Sequence, residues 1–277
     1  MTFMDDIYLI SILALIIGGA AAGTFAGLLG IGGSILLVPL QFYLLTKMGW
    51  PPDVAIKVAI ATALFFTLPT SLNSAYGHSK RKNVLWKKAL LIGVFGFVFS
   101  FIGASVASYL NASSLSLIFG LVVLGASFKI NSKKGMNEDP EKIVSSPALY
   151  AVCGAAMGII AGLTGIGGGL ILVPLLVFAM KVPFRQAVGT SSATIVLTAA
   201  GGVIGHMING IGMTGLPPYS IGYVNLIIWT AIVIPGILCS GLSSRYSYKV
   251  NQKYVQFLFS GITFLVGIGM IVKGLGL

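Results

Sequence analysis

One stretch of this chain is written twice, and any fold it adopts has to house both copies. Residues 23–40 read GTFAGLLGIGGSILLVPL and residues 158–175 read GIIAGLTGIGGGLILVPL, without a gap, at an offset of 135. Ala59-Ile60-Ala61-Thr62 aligns with Ala187-Val188-Gly189-Thr190 at an offset of 128, and the same offset sets Gly77-His78 on Gly205-His206. The chain's two histidines therefore hold equivalent positions. A fainter match at an offset of 140 pairs Gly96 with Gly236 and Phe119 with Phe259.

Both copies are embedded in apolar sequence. Hydrophobic residues fill 56% of the 277 positions and charged residues 8%, against about 25% charge in an ordinary soluble domain. One water-soluble core cannot absorb that much apolar surface, so the solvent is lipid. Ten apolar segments can be drawn, at approximately 7–29, 34–46, 53–76, 85–108, 114–130, 147–164, 169–180, 184–207, 221–243 and 254–275. Most reach the roughly 20 residues that span a bilayer. The segments at 34–46 and 169–180 do not; at 1.5 Å per residue each gives only about 20 Å of helix. Each follows directly on a glycine-rich break, Gly30-Ile31-Gly32-Gly33 or Gly165-Ile166-Gly167-Gly168-Gly169. The expected fold class is all-α, a polytopic membrane protein with five helical segments in each half. The first segment follows Asp5 and Asp6 and lacks a basic leader and a clear cleavage site, so it reads as a retained membrane helix. Cys153 and Cys239 lie in separate segments without metal-ligand or redox spacing, and read as small packing residues.

The net charge of +11 sits in short loops rather than on the face of a soluble module, so nucleic acid is not indicated. Those loops read as an orientation signal, with attraction of anionic lipid or other anions as the second reading. With the N-terminus outside, fourteen cations fall inside: Lys80, Arg81, Lys82, Lys87 and Lys88; Lys129, Lys133, Lys134 and Lys142; Lys181 and Arg185; Arg245, Lys249 and Lys253. Lys47, Lys57 and Lys273 fall outside. The first two segments must then return the chain to its starting side, either by both crossing or as a re-entrant pair. Five segments is an odd number, so the halves enter the membrane from opposite sides. The basic loop at 78–88 and its uncharged counterpart at 207–220 agree with this. The expectation is an inverted-topology repeat, with a first membrane repeat at 1–130, a cytoplasmic linker at 131–146 and a second repeat at 147–277. The whole forms one integrated membrane domain, with both termini outside.

The doubled break is the foremost candidate site. Glycine-rich backbone inside apolar sequence exposes N–H groups that lipid cannot satisfy, and it is tolerated only when buried in protein or lining a polar cavity. Each break opens a short helix, whose N-terminus offers free donors and a partial positive charge. Two such ends meeting near the midplane would bind an anion. This selects Gly30, Ile31, Gly32, Gly33 and Ser34, and Gly165, Ile166, Gly167, Gly168 and Gly169. The four-residue spacings Gly23–Gly27 and Gly158–Gly162 read instead as close helix packing. Thr62, Thr190 and Ser191 have two readings, as donors to an oxyanion or as interhelical and backbone hydrogen-bond formers. His78 and His206 close segments 3 and 8 on opposite faces; they read as gating or coupling groups or as interfacial polar caps. Gln41, Asn73 and Asn209 are further polar candidates, and Lys57 either attracts anions or snorkels.

What is missing narrows the function. Asp5, Asp6, Asp53, Glu138, Asp139 and Glu141 are the only acids, and all lie in termini or loops. A carboxylate proton relay, a carboxylate cation site and a paired-carboxylate or metal-dependent enzyme are therefore not indicated. With no P-loop, the chain does not burn ATP itself, and no cofactor is called for.

The duplicated AGLLGIGGSILLVPL and AGLTGIGGGLILVPL, each followed by a Thr-containing helix ending in Gly-His, resemble the sulfite exporter TauE/SafE family, also called the toluene sulfonate uptake permease family. The resemblance covers essentially the whole chain. It implies an inner-membrane permease for small sulfur-containing anions such as sulfite, sulfoacetate and other organosulfonates, with the doubled glycine motif central to transport. It carries a Thr-Ser pattern onto Thr190 and Ser191; in the first half Thr62 is followed by Ala63 where the pattern has Ser. The expected mechanism is alternating access in the direction of export, because an anion leaving a negative interior gains about 2.3 kcal/mol per charge per 100 mV. A channel-like anion conductor, a proton-coupled uptake permease and a substrate-free accessory subunit are the alternatives.

Overall fold

Glycine or proline marks many of the helix ends of this chain. The computed structural model describes residues 2–130, 143, 144, 146–247 and 250–276. Most of the expected linker at 131–146, with Lys133, Lys134, Lys142 and the acids Glu138, Asp139 and Glu141, lies outside the described residues, as does Lys249. Among the described residues ten α-helices follow one another: α1 Thr2–Leu29, α2 Ser34–Lys47, α3 Pro52–Ser79, α4 Trp86–Tyr109, α5 Ala112–Ile130, α6 Pro147–Thr164, α7 Gly169–Pro174, α8 Phe184–Asn209, α9 Leu226–Tyr246 and α10 Gln252–Gly274. Among the described residues, α1, α3, α4, α6, α8, α9 and α10 are long and apolar enough to cross a membrane. The chain is thus an all-α polytopic membrane protein. The two segments expected to be short are short: α2 has 14 residues, and α7 runs only from Gly169 to Pro174 before a π-helical turn, Leu175–Ala179. A proline removes one backbone donor and crowds the carbonyl four residues back, which favours such a turn. Pro39, the equivalent residue, sits inside a continuous α2, so proline alone does not impose it.

The ninth segment departs from expectation at its start. Instead of beginning near residue 221, α9 begins at Leu226, after a small antiparallel hairpin of β1 Ser220–Ile221 and β2 Val224–Asn225. Gly222 takes the turn at φ +54°, a conformation glycine adopts without strain. Asn225 then stops the strand by accepting a hydrogen bond from the Ile228 amide at 3.0 Å, an N-cap for α9.

Two central helices, α3 and α8, pack on each other and are buried over most of their length. The flanking helices pair across the halves: α1 lies on α9, α6 lies on α4, and α5 lies on α10. Small residues make these contacts close. Gly19, Gly23 and Gly27 of α1 face Ile232, Gly236 and Ser240 of α9, while Gly154, Gly158 and Gly162 of α6 face Ile92, Gly96 and Ser100 of α4. The two sets correspond at offsets of 135 and 140. Without a hydrophobic drive between helices in lipid, backbone-to-backbone approach of this kind supplies the adhesion. A methyl group on Gly158 would stand 2.7 Å from the Gly96 carbonyl oxygen, so these four-residue spacings pack helices, as read from the sequence. The outward faces of α1, α4, α9 and α10 carry exposed Ile, Leu, Val and Phe side chains, among them Ile17, Val98, Ile234 and Leu265, as a lipid-facing surface requires.

Candidate functional site

The two glycine breaks have the same backbone and lie against each other. Gly30, Gly32 and Gly33 have φ of +66°, +86° and +76°; Gly165, Gly167 and Gly168 have +73°, +73° and +82°. Before the first of these, Gly30 donates to Ala26 O at 3.0 Å and Gly165 to Ala161 O at 2.8 Å, the last bonds of α1 and α6. A methyl group on Gly169 would stand 2.6 Å from Ile31 Cα, and one on Gly32 would stand 3.6 Å from Ile166 O. All of these residues are buried.

What the breaks present is a set of donors. Among the described residues, the N–H groups of Ile31, Gly32, Gly33, Ile166, Gly167 and Gly168 find no acceptor. The Ser34 hydroxyl, fully buried in the first turn of α2, is also without a partner. Buried amides are almost always paired, and each unpaired one costs about 1–3 kcal/mol. Six of them in two breaks that touch at Ile31–Gly169 and Gly32–Ile166, with a free hydroxyl in the first turn of α2, favour negative charge nearby.

Side chains from the central helices pin the breaks. Ser191 of α8 donates to Gly30 O at 2.9 Å. Ser192 donates to Val188 O at 3.0 Å and lies 3.1 Å from Ser74 Oγ. Thr67 of α3 stands between the two breaks: a methyl on Gly32 or on Gly167 would come within 2.8 Å of its Cγ2. Its hydroxyl donates to Ala63 O at 2.9 Å and reaches Gly32 O at 3.4 Å. Thr67 was not legible from the repeat, because the position equivalent to it is Ile195; a hydroxyl two residues before Pro69 in a membrane helix was its one signal.

Thr62 and Thr190 hold the entries of the fourth helices. Thr62 Oγ1 accepts from the Asn225 amide at 3.0 Å, and Thr190 Oγ1 accepts from the Leu85 amide at 3.0 Å. Asn225 and Leu85 precede α9 and α4, and they correspond at the offset of 140. The histidines are equally matched. His78 Nε2 lies 3.2 Å from Gly27 O, and His206 Nε2 lies 2.9 Å from Gly162 O. Both are buried, and His206 Nδ1 has no partner. Of the remaining polar candidates, Asn73 donates to Ile237 O at 2.7 Å and Asn209 to Ser105 Oγ at 3.0 Å. Gln41 is fully buried with neither amide atom bonded.

Below the first break the chain opens. A cavity of about 470 Å³ is lined by Leu28, His78, Arg81, Asn83, Arg185 and Val188 among others. The Val188 carbonyl packs directly on Gly30, so the cavity floor touches the break. At the second break the matching contact is Ile60 O on Gly165, but there the hairpin lies over it. The Tyr223 amide donates to His206 O at 3.3 Å, and the Tyr223 ring meets the His206 ring edge-on at 6.5 Å. The equivalent amide on the open side is that of Asn83, which donates to His78 O at 3.1 Å.

Across residues 15–270 the sequence matches the family described as Sulfite exporter TauE/SafE. The chain belongs to the TauE/SafE family. It is 31% identical over 267 residues to a protein of Methanocaldococcus jannaschii described as a "Probable membrane transporter protein", which covers 96% of this chain and 97% of the relative. YunE of Bacillus subtilis, with the same description, is 30% identical over 96% of this chain and 99% of its own length. A Haemophilus influenzae protein so described is 27% identical over 95% of this chain and 98% of its own length. No solved structure matches this chain. This TauE/SafE protein is accordingly a multi-pass membrane transporter and not an enzyme.

Proposed function

We propose that this transporter moves a small sulfur-containing oxyanion or organosulfonate, such as sulfite or sulfoacetate, across the inner membrane, in the direction of export. The substrate binds where the breaks meet, on the amides of Ile31, Gly32, Gly33, Ile166, Gly167 and Gly168 and the Ser34 hydroxyl. The observation that carries this reading is the group of six buried amides without an acceptor, a donor set that fits a compact oxyanion. Gly30, Gly165 and Gly169 shape the turns, Ser191 positions the first break through Gly30 O, and Thr62 and Thr190 hold the surrounding helix ends.

The halves 1–130 and 147–277 act as an inverted-topology repeat joined by a cytoplasmic linker, and rocking of one against the other exposes the site alternately. Recurrence of the contacts at His78–Gly27 and His206–Gly162 supports this pairing. His78 and His206 lie at the two mouths, where they act as gating groups. Positive-inside bias puts the loop at 80–88, and with it the open cavity, on the cytoplasmic side and both termini outside. A site loaded from within a negative cell supports export, since each departing charge gains about 2.3 kcal/mol per 100 mV.

Proteoliposomes loaded with sulfite, with an imposed potential, test this. Flux is expected to saturate, to rise with inside-negative potential and to fall about tenfold in Ser34→Ala. Sulfite flux that ignores voltage and needs a pH gradient would favour proton-coupled uptake, and non-saturating unitary currents would favour a channel.

A further inference from the structure

The two halves carry a cation at the same repeat position, and the structure treats the two differently. Arg185 in the first turn of α8 corresponds to Lys57 in the second turn of α3 at the offset of 128. Lys57 is engaged: Nζ donates to Ser108 O at 2.6 Å and stands 5.9 Å from the centre of the Tyr223 ring. Arg185 is exposed, lines the 470 Å³ cavity, and makes no hydrogen bond or ion pair with any described residue. Around it, the cavity gathers a second guanidinium, Arg81, whose side chain also donates to the Arg245 carbonyl, together with His78 and the Asn83 amide. Among the described residues no carboxylate lines this cavity.

We propose that this cavity is a separate oxyanion-binding site, a loading mouth in which Arg185 captures the anion before it passes the Val188–Gly30 contact to the breaks. The inference rests on the transport reading above and adds a second, outer binding site to it. Three observations carry it. Two guanidiniums converge from separate stretches of chain, Arg81 in the loop after α3 and Arg185 at the start of α8, beside the His78 ring. The floor of the cavity is the backbone that packs on the first break. The counterpart position is covered: the connection from α8 to α9 is longer, its hairpin brings Tyr223 to the site equivalent to Asn83, and Tyr223 is buried there. An arginine fork suits the planar or pyramidal face of an oxyanion, and convergent positive charge raises the local anion concentration in a manner that salt screens. The same chemistry would hold an anionic lipid headgroup. Contact between the cavity floor and the first break favours the free anion.

The test uses the full chain in neutral-lipid nanodiscs, with sulfite and sulfate as probes followed by calorimetry. Wild type is expected to bind sulfite more weakly as salt rises. Arg185→Gln is expected to weaken binding at low salt about tenfold and to remove most of that salt dependence, while Arg185→Lys restores part of both. In proteoliposomes Arg185→Gln should raise KM with little change in the maximal rate, whereas Ser34→Ala lowers the maximal rate. Thermal unfolding of each variant verifies folding; Arg185 is exposed, so its substitutions should leave the transition unmoved. Equal sulfite binding by wild type and Arg185→Gln at low salt overturns the loading mouth while leaving the break site standing. Loss of binding in Arg185→Gln without any sulfite flux in wild type supports the mouth and overturns the transport reading. Retention of phosphatidylglycerol in place of sulfite overturns the proposal in favour of a lipid site.

Discussion

The mouth beside His78 and the mouth beside His206 are built from the same parts and end in different states. Each has a histidine on a glycine carbonyl, at 3.2 Å to Gly27 O and 2.9 Å to Gly162 O. Each has a threonine holding the next helix by its N-terminal amide. Each has an amide folded back on the histidine carbonyl, from Asn83 in one and from Tyr223 in the other. Where that residue is asparagine the space is a cavity bordered by Arg81 and Arg185; where it is tyrosine the ring occupies the space and is buried. The lesson is that a repeated helical frame can be left open on one side and closed on the other by a longer connection that brings a bulky side chain to the repeat position.

The largest effect is expected from undoing that difference. In a background with Cys153→Ala and Cys239→Ala, Val188→Cys, which lines the cavity, should react faster with a small charged thiol reagent than Ile60→Cys. Adding Tyr223→Asn should bring Ile60→Cys close to the Val188→Cys rate. Unchanged protection would mean that something other than the ring closes the second mouth.

The breaks themselves offer a second comparison. A methyl group on Gly33 runs into the backbone of Ala22, while one on Gly168 meets the flexible Met157 side chain, 2.5 Å from its Cγ. Both positions are left-handed, which costs roughly 1–2 kcal/mol for alanine. Gly33→Ala should therefore cost about 3 kcal/mol of stability, and Gly168→Ala noticeably less. Unfolding in detergent compares them, and an equal or reversed order would show that the two breaks relax differently from their static packing.

Smaller effects follow at the histidines. His206→Ala leaves the Gly162 carbonyl unpaired in a closed site and should cost about 2 kcal/mol. His78→Ala borders the open cavity, where water can replace the ring, and should cost about half as much. The smallest effect is expected at the helix entries, where Thr62→Val and Thr190→Val should each cost about 1 kcal/mol by the same unfolding measurement. A marked inequality between those two would argue against treating the entries to α4 and α9 as equivalent.

Much of this was legible in the sequence because lipid leaves so few choices. A segment that crosses a bilayer must satisfy its backbone internally, so uninterrupted apolar runs became helices within a few residues of their expected bounds. Where glycines interrupted the runs, the helices stopped. The pairing of His78 with His206 was equally visible, since each is placed by repeat arithmetic.

Tertiary packing settled what the repeat could not. Thr62 and Thr190 had two possible partners, and only the approach of Asn225 and Leu85 chose between them. The hairpin at 220–225 was read as helix because Ile221, Tyr223 and Val224 are as apolar as a membrane segment; its strands exist because Gly222 turns and Asn225 caps. Thr67 has no hydroxyl counterpart in the other half, so no internal comparison could raise it. The sequence by itself determined that two like units with interrupted helices would fold in lipid, because apolar periodicity and backbone satisfaction are local properties. Which side is open was decided only in three dimensions, because it turns on whether the connection after each histidine folds back over the space left between helices that are far apart in the chain.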